Sequence, residues 1–513
     1  MALPQFDNTI KGDIQGFITS AYGHTYRAAY LFLGVTDAKR ARAWLGAIVP
    51  QVQTAVSWRN LPDAPKAYPD TMLNIAFTYA GLAAIGLSDL ALRSFPAQLQ
   101  EGITDPTRAL RLGDTEESHP DHWDIGGTNT PTLHILLILH ADTTPDSDDG
   151  IRALVEQQKD LIDTQGGIEI LHEEYAYRRD DDKELFGFKD GIGQPKIIGI
   201  NVRDQDGAEY EGNLVNTGEM ILGYPSQYDL YPTAPVVPAE DDPDDILPAL
   251  TTPHGTYPTY RDKTLKDLGK HGTYIVYRKM YQDVATFWEW ILREVRRLDG
   301  QVTAARVIWL ASKFVGRKPN GDPMLPDADQ LKTQDDFLFA RRDPDGMSCP
   351  FGSHIRRMNP RDVLHPTDPD TSLATTAKHR ILRRGRLYGE PLFDIALLDD
   401  LRDEHLATLQ ALEDDGADRG LHFLSVNANI ERQFEFIHDT WANNPNFNAL
   451  YENRDPIIGD NDRSNQASSH MLIPQEPARI RTKALPRFVH VKGGAYCFMP
   501  GITALRYLAQ LPD

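Results

Sequence analysis

A carboxylate set among apolar residues can hold and release a proton during a reaction, and Asp190 has such surroundings. It lies in Phe186-Gly187-Phe188-Lys189-Asp190-Gly191-Ile192-Gly193-Gln194-Pro195, where three glycines and a proline dictate a tightly turning backbone. Leu185, Phe186, Phe188 and Ile192 supply the apolar company, which would disfavour the charged form and raise the pKa of Asp190. The plainer alternative is that Asp190 serves only as a turn former. The run from Arg178 to Glu184 just upstream reads as a solvated loop.

A second segment, Cys349-Pro350-Phe351-Gly352-Ser353-His354-Ile355-Arg356-Arg357-Met358-Asn359-Pro360-Arg361, places a single histidine before three arginines. Neutral imidazole is a metal ligand, and guanidinium groups pair with carboxylates, either of the chain or of a bound group. The alternative is a structural histidine. A zinc site from His354, His365 and His379 would need spacings of 11 and 14 residues, which match no compact zinc motif. The third segment, Lys378 to Gly389, contains Arg380, Arg383, Arg384 and Arg386. It reads equally as a surface patch, as a partner for the chain's own acids, or as a guanidinium aimed at developing negative charge.

Elements must bring these segments together. Four stretches share one plan, a short apolar strand and then a helix: Tyr30–Val35 before a helix reaching Leu45, Leu133–Leu139 before Asp149–Asp163, Thr273–Tyr277 before a helix opened by Asp283, and Leu421–Val426 before Ile430–Trp441. Thr36 or Asp37 would cap the first helix. Two units fall in each half, separated by the proline-rich, acidic stretch Pro232–Gly255. A pair of β-α units per half is what a split βαβ plan gives. The expected fold is therefore α+β, a duplicated ferredoxin-like (dimeric α/β barrel-type) arrangement of antiparallel sheets with peripheral helices. Residues 1–240 would carry the Asp190 loop, and residues 257–513 would carry His354 and Arg383. Unrelated β-α units in one α/β fold are the alternative. Lys318–Asp335 and Asp343–Thr376 are long Pro/Asp/Gly-rich loops, and the second holds His354.

The 513 residues suffice for a large core, and 41% hydrophobic with 25% charged residues is ordinary for a globular chain. A net charge of −21 argues against nucleic acid or an anionic membrane as partner. Two cysteines, Cys349 and Cys497, cannot form a disulfide framework, a zinc CxxC pair set or an iron–sulfur cluster. No signal peptide or apolar span is evident, so a cytoplasmic location is expected.

Taken together, the three segments resemble the dye-decolorizing peroxidase family. Gly187-Phe188-Lys189-Asp190-Gly191 fits the family's Gly-x-x-Asp-Gly motif. Gly352-Ser353-His354-Ile355-Arg356-Arg357 is similar to the stretch with its proximal histidine, and Arg380-Ile381-Leu382-Arg383-Arg384-Gly385 to the stretch with its distal arginine. The similarity runs from Asp13-Ile14-Gln15-Gly16 through Leu73–Leu82 and Asn427–Phe434 to Gly493-Gly494-Ala495-Tyr496.

The resemblance implies one haem b per chain, with hydrogen peroxide and small organic reductants as substrates. It implies His354 as iron ligand, Asp190 and Arg383 as catalytic residues, and Arg356, Gly191 and Ile192 beside them against the cofactor. Glu431, or else Asn429, would stand behind His354 as acceptor for its second ring nitrogen. Where some subfamilies follow the distal arginine with Asp-Asn, this chain has Arg384-Gly385, which places more of the work on Asp190 and Arg383. Trp441, Tyr388 and Tyr451 are candidates to carry electrons toward the surface. An enzyme that removes iron from haem and a non-catalytic haem carrier are the rival readings; a carrier needs neither Asp190 nor Arg383. The closing Leu511-Pro512-Asp513 gives no evident tail for packing into an encapsulin shell.

Overall fold

The computed structural model describes residues 6–56, 69–200, 212–250, 252, 257, 260, 262–365, 367–461 and 469–512. Part of the Pro232–Gly255 stretch, residues 251 and 253–255, lies outside them; within it Val236–Pro238 pairs with Leu265–Asp267.

The first half contributes strands β1 (Arg27–Val35), β2 (Met72–Phe77), β3 (Ile135–Ala141) and β4 (Ile168–Tyr177), with helices α1 (Ala38–Ile48) and α2 (Asp149–Gln165). The second contributes β5 (Thr273–Gln282), β6 (Arg386–Tyr388), β7 (Gly420–Asn427) and β8 (Val489–Met499), with α3 (Val284–Asp299), α4 (Ala304–Val315) and the short α5 (His354–Met358). After β7 come two π-helical segments, Glu431–Glu435 and Ile437–Ala442. Asp37, not Thr36, caps α1, accepting from the N–H of Arg40 at 2.9 Å. Likewise Asp283 caps α3.

Pairing is antiparallel in the order β4-β1-β3-β2 in the first half and β8-β5-β7-β6 in the second. Each half thus repeats the split βαβ layout. The halves join edge to edge at both ends, Phe77 opposite Phe498 and Tyr177 opposite Leu387, so the sheet closes on itself as a barrel without free edges.

Strand alternation then sorts the side chains. Tyr30 and Phe32 of β1 point into one cluster with Ile275 and Tyr277 of β5 and Leu424 of β7, filling the barrel. Leu31 and Leu33 point outward to Trp44 and Leu45 of α1. On the second half the outer layer is α3 and α4, whose Phe287, Trp288 and Phe314 pack with Leu185, Phe186 and Phe188 of the glycine-rich loop. β5 continues past the apolar run expected from sequence because its polar residues are partnered: Arg278 with Asp114, and Lys279 with Glu174 at 2.7 Å. Both cysteines are buried and unbridged. Among the described residues no helix is long and apolar enough to cross a membrane.

Candidate active site

One cavity gathers the three sequence segments. Asp190, Ile192, His354 and Arg383 line it, together with Met280 and Gln282 of β5, Leu421 and Phe423 of β7, and Ile437 and His438 of the π-helical stretch. Its empty space, open solvent at the mouth included, is about 1550 Å³.

The Asp190 loop is pinned from the apolar side. Phe186 packs on Phe287 with ring centres 4.6 Å apart, and Phe188 stacks over Trp288. Gly187 has φ +99°, and a Cβ there would lie 2.1 Å from Leu398, so only glycine serves. Upstream, Glu184 and Lys183 belong to this framework rather than to a solvated loop. Glu184 accepts from the N–H groups of Phe186 and Phe188, and Lys183 is buried against Asp399.

Asp190 and Arg383 form an ion pair at 2.9 Å, their side chains 41% and 30% exposed toward the cavity. Gln194, from the same loop, accepts from the N–H of Arg383 at 3.0 Å and fixes the two segments together. The expected rise in the Asp190 pKa does not occur. Enclosure pushes it up, but Arg383, the Gly191 N–H and His354 outweigh this and hold the carboxyl below its usual value. Gly191 supports Asp190 in this way and is not itself a lining residue.

His354 opens α5, and its Nδ1 faces Asp455, 3.0 Å from Oδ2 and 3.2 Å from Oδ1. Nε2 has no hydrogen-bond partner among the described residues. Burial alone would push the fully buried Asp455 up; His354 and the N–H of Ile458 bring it below the usual carboxylate range. The acid behind His354 is therefore Asp455, and the Glu431 and Asn429 assignments are corrected. Glu431 accepts from Gln98 at 2.8 Å, and Asn429 accepts from the N–H of Arg432. Sequence reasoning missed Asp455 because it lies 101 residues from His354. Its local signal, an Asp-Pro turn accepting from Ile457 and Ile458, is that of any Asx turn. His438, also missed, lines the cavity neutral, burial having pulled it down to about 3.

Arg356 does not reach the cavity, which corrects its assignment to the cofactor. It lies between the rings of Phe339 and Phe351, 4.4 and 4.3 Å away, and bonds Asp343 and the carbonyl of Cys349. Arg357 donates to the carbonyls of Ala442, Asn444 and Asn453, tying α5 to the turn that carries Asp455. Arg384 and Arg386 bond backbone carbonyls of residues 17, 18, 21 and 22. The cavity's cationic wall is instead Arg317, Arg361 and Arg380. Arg317 and Arg361 share Asp335. Among the described residues Arg380 bonds the carbonyls of Gly193 and Gly212 and the Asn213 amide oxygen, and burial with two neighbouring arginines pulls it down to about 9. A Cβ at position 385 would lie 2.7 Å from the His422 carbonyl, so the close strand approach there favours Gly385 over any larger residue.

His379 stacks on Phe436 at 3.8 Å and bonds the Arg432 carbonyl. Among the described residues no cluster of three or more His, Cys, Asp or Glu could hold a metal ion. Of the aromatic candidates, Trp441 and Tyr388 are buried and Tyr451 is 71% exposed.

No family model matches the chain. Curated relatives do. A dye-decolorizing peroxidase of Exidia glandulosa is 27% identical over 96% of this chain and 86% of its own length, and one of Auricularia auricula-judae gives the same figures. A multifunctional dye peroxidase of Amycolatopsis sp. is 27% identical over 94% of this chain and 92% of its own. Along nearly its whole length the chain is similar to dye-decolorizing peroxidases.

Solved dye-decolorizing peroxidases share its fold. An ancestral D-type enzyme superposes with a TM-score of 0.72 at 24% identity, over 98% of this chain and 99% of its own. The Amycolatopsis enzyme gives 0.71 at 23%, over 97% and 96%. Dye-decolorizing peroxidases are haem enzymes, and the residues present fit that cofactor. The cavity offers a histidine with an unbonded ring nitrogen, apolar walls from Met280, Leu421, Phe423, Ile437 and Ile457, and a buried arginine, Arg380, with no carboxylate in contact among the described residues.

Proposed function

We propose that this chain is a peroxidase that reduces hydrogen peroxide and oxidises small organic molecules such as phenols. The reading is carried by one observation: the Asp190–Arg383 pair lines the same cavity as His354, which Asp455 backs from outside it. A relative's structure is a complex with 2,6-dimethoxyphenol, which supports a phenolic reductant.

The cofactor would be one haem b, held through Nε2 of His354. Haem supplies the iron that exchanges electrons with peroxide and reductant. Asp455 keeps the proton of His354 on Nδ1, fixes the ring orientation and makes the ligating nitrogen more electron-donating. Arg380, with Arg361 and Arg317, would provide the positive charge to hold carboxylates of the bound haem. Asp190, held ionised by Arg383, takes the proton from one oxygen of hydrogen peroxide and returns it to the other, so that water can leave. Arg383 neutralises the negative charge that grows as the oxygen–oxygen bond lengthens.

The test is haem reconstitution of the purified chain, followed by peroxide-dependent oxidation of 2,6-dimethoxyphenol. A Soret band with turnover is expected. Haem binding without turnover would indicate a carrier, and iron release from added haem without phenol oxidation would indicate the iron-removing activity.

A further inference from the structure

Behind the cavity wall, inside the barrel, lies a tyrosine–histidine pair that the chemistry above does not use. Tyr277 of β5 is fully buried, and its hydroxyl is 2.9 Å from Nδ1 of His422 on β7, with the two rings stacked. His422 sits between Leu421 and Phe423, both of which line the cavity, and Met280, also lining, is on the same strand as Tyr277. The pair is thus one strand's thickness from the cofactor cavity. Tyr30 and Tyr388 flank the imidazole at 5.1 and 4.8 Å and keep water from it. Resting on the haem peroxidase reading, we propose that Tyr277 is a redox-active tyrosine whose proton is taken by His422.

The physical case concerns where the phenol proton can go. Losing an electron makes a phenol strongly acidic, so reversible oxidation needs a base already in contact. Burial raises the Tyr277 pKa well above its ordinary value, which prevents ionisation beforehand. Burial also lowers that of His422, leaving the imidazole neutral and able to accept. Glu174 stands 3.6 Å from Nε2 of His422. Burial works against its charge, but His172, His422 and Lys279 hold it well below the usual carboxylate range. An anion on that side favours the proton on Nε2, which leaves Nδ1 as the acceptor facing Tyr277, and stabilises the imidazolium once formed.

The balance closes with what the peroxidase reaction supplies. One electron leaves Tyr277 for the oxidising equivalent that peroxide generates at the bound haem. The phenolic proton moves to Nδ1 of His422, giving a neutral phenoxyl radical beside an imidazolium. Re-reduction by an outside donor returns the electron, and the proton comes back to the phenoxyl oxygen from His422. Among the described residues, Tyr30, Tyr274 and Tyr496 have no imidazole at the hydroxyl, and the Tyr388 hydroxyl meets Asp418 at 3.5 Å. Tyr30 has no hydroxyl partner, Tyr274 meets a backbone carbonyl at 3.4 Å, and Tyr496 meets Glu435, whose carboxylate is already held by Arg108. The second tyrosine–histidine pair, Tyr224 with His271 at 2.9 Å, has no sequence neighbour among the cavity residues and serves as a control.

The experiment is rapid-freeze-quench electron paramagnetic resonance of haem-loaded protein mixed with one equivalent of peroxide and no reductant. A tyrosyl signal is expected in the wild type and in Tyr224→Phe, and loss of most of it in Tyr277→Phe. An undiminished signal in Tyr277→Phe overturns the proposal. Should that variant not fold, the wild-type protein grown with 15N-histidine decides: nitrogen coupling to the radical is expected, and its absence overturns the assignment. Failure to bind haem, or to change the haem spectrum with peroxide, would instead sink the peroxidase reading itself.

Discussion

Replacing Asp455 with asparagine isolates the contact behind His354. The Asp455 oxygens lie 3.0 and 3.2 Å from Nδ1, and the carboxylate is fully buried, so solvent screens the interaction little. Oδ1 of Asp455 also accepts from the N–H groups of Ile457 and Ile458, both at 2.9 Å. An asparagine oxygen can keep those two bonds, which confines the damage to the histidine. What changes is the charge behind the imidazole, and with it the ring's donor strength and orientation. Losing such a partner typically costs about 10- to 100-fold in metal affinity or activity, which is about 1.4 to 2.8 kcal/mol. Full burial places the expectation toward the upper end. The assay is titration of haem into the apo protein, followed by the Soret band, for wild type, Asp455→Asn and Glu431→Gln. Weakened binding or an altered iron spectrum is expected for Asp455→Asn alone. Unchanged affinity and spectrum in Asp455→Asn, with loss in Glu431→Gln, would refute the assignment of the partner.

The remaining predictions concern the other side of the cavity. Asp190→Asn keeps shape but cannot take a proton, so the step with peroxide should slow by about 100- to 10,000-fold at unchanged haem content; stopped-flow absorbance at a normal rate would exclude Asp190 as the base. Arg383→Leu should lose about 100- to 1,000-fold in that step, while Arg383→Lys, which keeps charge but not the planar fork, should lose less; equal losses would mean that charge is not what Arg383 contributes. Because the folded-state pKa of Asp190 is depressed, the base stays ionised as pH falls and is lost only below the usual carboxylate range. The peroxide step should therefore persist through mildly acidic pH, and a midpoint near neutrality in its rate would contradict this.

Asp190, His354 and Arg383 were legible because each sits in a short stretch whose residue types are unusual together, and the closed sheet brings all three stretches to one cavity. The four β-α units were legible from period and caps, since buried strands and amphipathic helices leave different apolar spacings. The partner of His354 was not, because a carboxylate 101 residues away becomes a neighbour only through the fold. The sign of the Asp190 shift was missed for a related reason. Apolar neighbours in sequence argue for a raised value, but the guanidinium that reverses it arrives from position 383.

The arginines carry the clearest lesson about what sequence can and cannot say. Grouping near His354 and Arg383 correctly marked where the chain does something unusual, yet neighbouring arginines do different jobs. A guanidinium has five donors in a rigid fork, so it can be satisfied wholly by carbonyls where several backbone segments converge. Arg357 meets three such carbonyls, and Arg384 and Arg386 hold residues 17–22 against the barrel. These are struts, and their density reports that many segments meet around the cavity. Arg383 differs because its pairing is with one carboxylate and both members remain open to the cavity. Arg380 is held by carbonyl and amide oxygens in the same way as the struts but, unlike them, lines the cavity. A strut spends its guanidinium away from the cavity, whereas Arg380 and Arg383 line it, and that difference in placement separates scaffold from site.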